Sequence, residues 1–336
     1  DLGCGSGALG QYLHHTKGCS VDGVTLNEAE AAHARPYYQR VLVDNLETCD
    51  LLAAFAGQRY DAIVCADVLE HLSRPERILD ACRELLTADG QLLISVPNAG
   101  YCGLIAELMQ GEFRYREEGL LDRTHLRFFT RQSLTRFLGE QRWAIDAIDT
   151  IQRELPESEF EVALDSLPPA AARHLLGAPD ALTYQFITIA RPVADVQAAL
   201  AAPTLAAPAQ ARFTAQLYLA YADQCAGQYA EDCKLTVTGV IGETRQTLRI
   251  ALPARSAPLT RLRLDPADRP GFLHLYRLSL RRLSGELVWQ WSCERDPRSV
   301  LAQAPHSQIV WQAPLPAAAS ASLLLLAGDD PWFELP

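Results

Sequence analysis

Asp1-Leu2-Gly3-Cys4-Gly5-Ser6-Gly7 is the stretch whose reading decides the fold. Glycines at alternate positions permit a tight strand-to-helix turn and let the backbone come close to a bound ligand. The string also reads as GxGxxA ending at Ala8, so a dinucleotide-binding loop is its rival. An acidic residue ahead of the first glycine separates the two. It suits a ligand with a cationic end and repels a pyrophosphate.

Outward from the loop, residues 1–192 alternate between strand-like and helix-like segments. Short apolar stretches at 20–25, 40–43, 60–65 and 91–96 read as strands. Helical patterns occupy 8–15, 28–40 and 75–86, the last closing at Asp89-Gly90 as a C-cap. Such alternation predicts a parallel α/β sheet with helices on both faces. The pair 143–151 and 182–190 closes it as an antiparallel edge. Residues 193–212 are Ala- and Pro-rich and read as a semi-rigid linker. From 213 to 336 the pattern changes to short alternating stretches at 214–222, 247–252, 259–264, 273–280, 287–291 and 320–327. Turn signals such as Arg269-Pro270-Gly271 and Ser284-Gly285 separate them, which predicts a β-rich, sandwich-like accessory domain.

The length of 336 residues suits two domains, and 49% apolar with 21% charged residues is ordinary globular usage. No apolar run approaches the roughly 20 residues of a membrane helix. A formal charge of −11 argues against a general nucleic-acid binder. The local cluster Arg277, Arg281 and Arg282 reads as a solvated strand edge. Nine cysteines without a CxxC pair read as buried thiols in a reducing cytoplasm. Because the first residue is not Met and lies inside the loop, the chain is expected to be an internal piece of a longer polypeptide, with most of the first strand missing.

Four further strings follow the glycine loop in order: Gly23-Val24-Thr25-Leu26-Asn27, Val43-Asp44-Asn45-Leu46, the run from Tyr60 through Cys65-Ala66-Asp67-Val68-Leu69-Glu70-His71-Leu72, and Ser95-Val96-Pro97-Asn98. With them, residues 1 to about 191 resemble the class I methyltransferases, which use S-adenosyl-L-methionine. The run from Tyr60 resembles the branch that contains ubiquinone-biosynthesis O-methyltransferases. The resemblance implies cofactor contacts at Asp1, Gly3, Gly5, Gly7, Thr25, Leu26, Asp44, Asn45, Cys65 and Ala66. Within it, Asp1 would hold the methionine amino group through the loop and Asp44 would read adenine. Thr25 departs from the pattern, since similar enzymes place an acid there for the ribose hydroxyls; a neutral hydroxyl gives a weaker contact.

The string Gly119-Leu120-Leu121-Asp122-Arg123-Thr124-His125-Leu126-Arg127-Phe128-Phe129-Thr130 resembles methyltransferases found with glycosyltransferases of bacterial surface-polysaccharide assembly. In similar folds this insertion covers the substrate, which makes His71, Asn98 and Arg127 candidate acceptor contacts. Glu70 and His71 face the substrate entrance or cap the turn. His125 has two readings. As a general base it would take the proton of an acceptor hydroxyl; as a structural residue it would hydrogen-bond Asp122 or a carbonyl and hold the loop. No set of His, Cys and carboxylates has metal-ligand spacing in the sequence. Thr130 with Ser133 reads as a helix N-cap.

In the second domain Trp289, Trp291, Trp311 and Trp332 form either the core of a small sandwich, the favoured reading, or a carbohydrate-stacking face. The segment 262–271 resembles one that accompanies glycosyltransferase modules. The implied function is methyl transfer to a glycan or a glycan-linked intermediate, with small-molecule O-methylation as the alternative and glycosyltransferase domains as possible partners. An oxidoreductase or epimerase would need a Tyr-x-x-x-Lys pair, which the sequence lacks. A non-catalytic protein that keeps the cofactor fold is the other rival.

Overall fold

Leu2 is the rung on which the first sheet turns. Its amide donates to the Val64 carbonyl at 2.8 Å, and it forms parallel bridges to both Val24 and Cys65. On one side lie β1 (Asp22–Thr25) and β2 (Arg40–Val43), paired in parallel. On the other lie β3 (Tyr60–Ala66), β4 (Leu86–Pro97), β5 (Trp143–Gln152) and β6 (Thr183–Pro192), in the spatial order β3-β4-β6-β5. β3 and β4 run parallel, and β6 is antiparallel to both β4 and β5. This is the predicted α/β sheet with its antiparallel edge. The computed structural model describes all residues except 163–165, 201–209, 224–227, 243–244, 255–256, 296–299, 313–320, 329 and 336.

Helices α1 (Ala8–Lys17), α2 (Glu28–Ala34), α3 (Leu51–Ala54), α4 (Pro75–Leu85), α5 (Cys102–Met109) and α6 (Arg131–Glu140) connect the strands. α2 is shorter than the pattern 28–40 suggested. Pro36 lacks an amide donor, and the chain tightens into a 3-10 turn at Arg35–Tyr37. α4 likewise stops at Leu85, and β4 runs straight through Asp89-Gly90, so that dipeptide is no C-cap. A Cβ on Gly90 would lie 2.9 Å from the Tyr60 carbonyl, so the glycine serves close strand approach instead. Thr130 caps α6 as expected, reciprocally with Ser133. The core joins Leu2, Val24, Ile63, Cys65, Leu92 and Ile94 of the sheet to Leu69, Leu79, Leu134, Trp143 and Phe186.

The chain divides into two compact units, residues 1–162 with 180–209, and residues 163–179 with 210–336. The boundary drawn from the sequence at 192 thus misses one helix, α7 (Pro169–Gly177), which groups with the second unit. Gly177 of α7 lies so close to Gly242 that a Cβ would come within 2.7 Å of its Cα. Helix α8 (Val196–Leu200) occupies the start of the expected linker, and residues 201–209 lie outside the described ones.

The second unit is β-rich. A five-stranded sheet contains β7 (Arg212–Tyr221), β8 (Lys234–Val240), β9 (Leu259–Asp265), β13 (His306–Ser307) and β16 (Trp332–Leu335). A three-stranded sheet contains β10 (Gly271–Leu275), β14 (Ile309–Gln312) and β15 (Ser322–Leu326), and β11 (Arg277–Arg281) pairs with β12 (Leu287–Ser292). The expected strand at 247–252 is absent among the described residues, and 273–280 is split between two pairings. Residue 320 of the last expected strand lies outside the described ones. Trp291 is buried with Ile309, Leu324 and Phe333, and Trp289 and Trp311 pack against them. Three of the four tryptophans thus take the core arrangement favoured above, while the Trp332 ring stacks under the Arg263 guanidinium, 4.9 Å from its centroid.

The ion pair Arg131–Asp180 ties α6 to the segment that enters β6. Arg131 Nε and Nη2 donate to the two Asp180 oxygens at 2.6 and 2.8 Å, and both side chains are largely buried. Arg131→Leu should lower stability by about 3 kcal/mol, because it leaves a buried carboxylate uncompensated. Urea unfolding of the two proteins checks this; equal midpoints would contradict it.

Candidate functional site

The glycine loop turns into α1 through three left-handed glycines at φ 80°, 49° and 87° for Gly3, Gly5 and Gly7. Their neighbourhoods differ. A Cβ at Gly3 would meet Val68 at 2.7 Å, and one at Gly7 would meet Ala34 at 2.7 Å. At Gly5 nothing lies within 4 Å. Gly3 and Gly7 are therefore packing glycines, and Gly5 presents open backbone on which a ligand can rest. Asp1 accepts the Tyr38 hydroxyl at 2.6 Å, and Tyr38 also accepts the Gly10 amide at 3.0 Å. The loop is thus pinned to α1 and to the turn after α2.

The other expected cofactor residues separate by exposure. Leu26 is 69% exposed, and Asp44, Asn45 and Ala66 are also exposed, while Cys65 is fully buried in the core. Asp44 accepts the Asn45 amide at 2.7 Å. Cys65 can contribute only backbone to a ligand. Thr25 is 3% exposed and donates its hydroxyl to the carboxylate of Glu30, on the first turn of α2. A carboxylate thus stands beside position 25 in space, on Glu30 five residues on, which no pattern in the linear sequence marked. Asn27 caps α2 by accepting the Glu30 amide at 2.9 Å, and this fixes the turn that carries the carboxylate.

At the carboxyl end of β3 the chain turns sharply. Asp67 adopts φ 53°, rare for a residue with a side chain, and its amide donates to Ser95 Oγ at 3.1 Å. Gln185 of β6 also donates to the Asp67 carboxylate. Three residues further on begins a polar cluster. Glu70 is fully buried, and neither carboxyl oxygen has a hydrogen-bond partner. Burial, with the Asp67 carboxylate nearby, pushes its pKa up to about 8. The insertion is clamped to the same residue, since the amides of Leu126 and Arg127 donate to the Glu70 carbonyl at 2.7 and 3.0 Å.

That clamp brings His125 to His71, 54 positions away in sequence. Their rings meet edge-to-face with centroids 4.7 Å apart. His125 is 9% exposed, and its Nδ1 lies 3.0 Å from the Leu120 carbonyl. His71 is half-buried, and its Nδ1 lies 2.9 Å from the Thr124 hydroxyl, itself 2.6 Å from Asp122 Oδ1. Burial first, and then the neighbouring His125, hold the His71 pKa below its usual value. Asp122 therefore supports His71 through Thr124. Its side chain does not orient His125, contrary to one expectation above. One potential ligand atom from each of Glu70, His71 and His125 lies within 4.8 Å of the others, close enough to hold a metal ion. The linear spacing hid this set.

Two expected acceptor contacts look different in the structure. Asn98 is buried, donates to the carbonyls of Asp180 and Thr183 at 3.2 and 2.7 Å, and accepts the Gly100 amide at 2.8 Å. It clamps the β4–β6 junction and presents no free group to an acceptor. Arg127 is exposed but donates to the Ser73 carbonyl, which fastens the insertion to the turn before α4. Beside it the rings of Phe113, Tyr115 and Phe128 form an exposed trio, with centroids 5.4 and 6.3 Å from that of Phe113. Nothing in the linear pattern marked this surface. Of the cysteines, Cys4, Cys49, Cys65, Cys82, Cys102 and Cys293 are buried thiols, and Cys225 lies outside the described residues.

Comparison with known proteins agrees with this geometry. Residues 1–146 match the family model of a methyltransferase domain. The chain is similar to a ubiquinone biosynthesis O-methyltransferase of Stutzerimonas stutzeri, 32% identical over 104 residues, which are 29% of this chain and 43% of that protein. It is also similar to the enzyme of that name from Acinetobacter baumannii, 28% identical over 120 residues, 34% of this chain and 50% of the relative. The chain thus spans about half the length, or less, of these curated relatives. A crystal structure of a SAM-dependent methyltransferase from Archaeoglobus fulgidus, 18% identical, overlaps 56% of this chain and 83% of its own with a TM-score of 0.40. The unit that carries the glycine loop thus matches, over residues 1–146, a methyltransferase domain, and the relatives it resembles are O-methyltransferases.

Glu30→Ala should weaken S-adenosylmethionine binding roughly 10- to 100-fold, the range of one hydrogen bond to a charged group. Calorimetry on the full chain measures this, and an unchanged dissociation constant would remove Glu30 from the ribose site.

Proposed function

We propose that this protein transfers the methyl group of S-adenosylmethionine to a hydroxyl of a glycan or glycan-linked intermediate. The observation that carries the reading is the packing of Gly3 on Val68. It holds the glycine loop against the turn that presents Glu70 and His71, so a methyl donor on Gly5 and an acceptor at the polar cluster meet at one sheet edge. The fit of the chain to the cofactor rests on open backbone at Gly5, the carboxylate of Glu30 and the exposed Asp44. Asp1 shapes the loop. The sulfonium is already an activated donor, so alignment supplies much of the rate. The acceptor oxygen forms the new C–O bond as the C–S bond breaks, its electron pair staying on sulfur, and the hydroxyl proton leaves by way of the polar cluster to water. His71, with Thr124 and Asp122 behind it, and His125 handle the acceptor.

The glycan assignment is supported by the resemblance of residues 119–130 and by the exposed trio Phe113, Tyr115 and Phe128, whose faces suit the C–H faces of a sugar ring. The relatives named above favour a second reading, O-methylation of a small aromatic metabolite, for which the same trio would stack on the acceptor ring. On either reading the six buried thiols suit a reducing compartment, the cytoplasm. Glycosyltransferase domains are the partners that the glycan reading brings with it.

A radiolabel-transfer assay with methyl-labelled S-adenosylmethionine, run across nucleotide sugars, lipid-linked glycans and catechols, tests the proposal. Label should enter a glycan acceptor. Transfer only to catechols would establish the second reading, and binding of cofactor without transfer to any acceptor would sink both. Within that assay His71→Ala should lower kcat by about 100-fold with the cofactor dissociation constant unchanged.

A further inference from the structure

The tautomers of the two facing histidines follow from their partners. The Asp122 carboxylate only accepts, and the Thr124 hydroxyl has one hydrogen, which it gives to Asp122 Oδ1 at 2.6 Å. His71 Nδ1, 2.9 Å from the Thr124 oxygen, must then donate to it, which leaves the lone pair of His71 on Nε2. The Leu120 carbonyl 3.0 Å from His125 Nδ1 fixes that ring in the same way. One potential ligand atom from each ring thus lies close to a carboxyl group that is fully buried and has no partner at either oxygen.

Buried polar atoms are paired as a rule, and a carboxyl group with both oxygens bare calls for a missing partner. A cation answers all three groups at once. We propose that Glu70, His71 and His125 hold a divalent transition ion of the Zn2+ type, with Asp122–Thr124 and the Leu120 carbonyl as the supports that aim the two imidazoles. Two imidazole nitrogens and one carboxylate are a common donor set for an ion that keeps a coordination position open. A metal-bound histidine ordinarily donates its other ring N–H to a carbonyl or carboxylate; His125 faces the Leu120 carbonyl in this way, and His71 reaches the Asp122 carboxylate by way of the Thr124 hydroxyl. His71 is half-buried, so the open position faces the entrance to the site. There the ion would take the acceptor hydroxyl, or two vicinal ones, lower its pKa and let the proton pass to water. That role rests on the methyl-transfer reading; the ion site itself does not.

The test is a titration of the chelator-treated full chain with Co2+, followed by visible absorption, with no S-adenosylmethionine present. The expected result is one ion per chain, a d–d band of low-symmetry Co2+, and displacement by Zn2+. Glu70→Gln and His125→Gln should each weaken binding by at least roughly 10-fold, the scale on which ligand shells affect metal sites. His14→Gln, on the exposed face of α1, should leave it unchanged. Circular dichroism shows whether each variant is folded; should Glu70→Gln unfold, His71→Gln replaces it. Lack of saturable binding by the wild type, or undiminished binding by the folded ligand variants, overturns the proposal. Calorimetry with S-adenosylmethionine on the same metal-free sample separates the two ideas. Cofactor binding without Co2+ binding removes the ion and leaves the methyltransferase reading standing; Co2+ binding without cofactor binding does the reverse.

Discussion

A single methyl group added at Gly3 would sit 2.7 Å from a Val68 side-chain carbon. That close approach is the constraint on which the rest of the site depends. It sets the glycine loop directly on the turn that leaves β3, and the same turn carries Asp67, Glu70 and His71. The Leu2 rung fixes the other coordinate, since it bridges Val24 at the end of β1 and Cys65 at the end of β3. The glycine loop, the Glu30 carboxylate and the polar cluster at Glu70 and His71 therefore share one edge of one sheet, where open α/β folds gather their ligands.

The second organising feature is Glu70. Its backbone carbonyl anchors the insertion by accepting two amides, and its carboxyl group is left bare inside the same turn. One residue thus positions His125 and lacks a partner of its own. A purely structural turn would not keep an unsatisfied buried acid at the mouth of a site, because its desolvation costs about 1–3 kcal/mol or more. The cation proposal gives that cost a function.

Much of the first unit was legible from local signals. The alternate glycines, the strand–helix periodicity and the Thr130 cap each depend on residues within a few positions of one another. What the sequence hid is non-local or rests on side-chain direction. Glu30 reaches Thr25 because the cap at Asn27 fixes the first turn of α2, and the residue at position 25 alone does not reveal that. His125 meets His71 only through the clamp on the Glu70 carbonyl. Asn98 looks polar and well placed, yet its amide is consumed by Asp180, Thr183 and Gly100. Asp89-Gly90 carries the local signature of a helix end, yet β3 pairs with β4 on both sides of it, Tyr60 with Leu86 and Ala62 with Gln91, and the dipeptide falls within the strand. In the second unit short alternating runs marked a β-rich class correctly. Pairing between distant strands, such as β16 with β9, is set by core packing that no local pattern encodes.

In the proposed function a cationic methyl donor lies across Gly5 with its ribose at Glu30. A crystal structure of the full chain with S-adenosylhomocysteine tests this most directly. The account predicts the homocysteine portion along the loop at Gly5, ribose hydroxyls on the Glu30 carboxylate, and the sulfur directed toward His71. Ligand density elsewhere, or a ribose with no contact to Glu30, would contradict it.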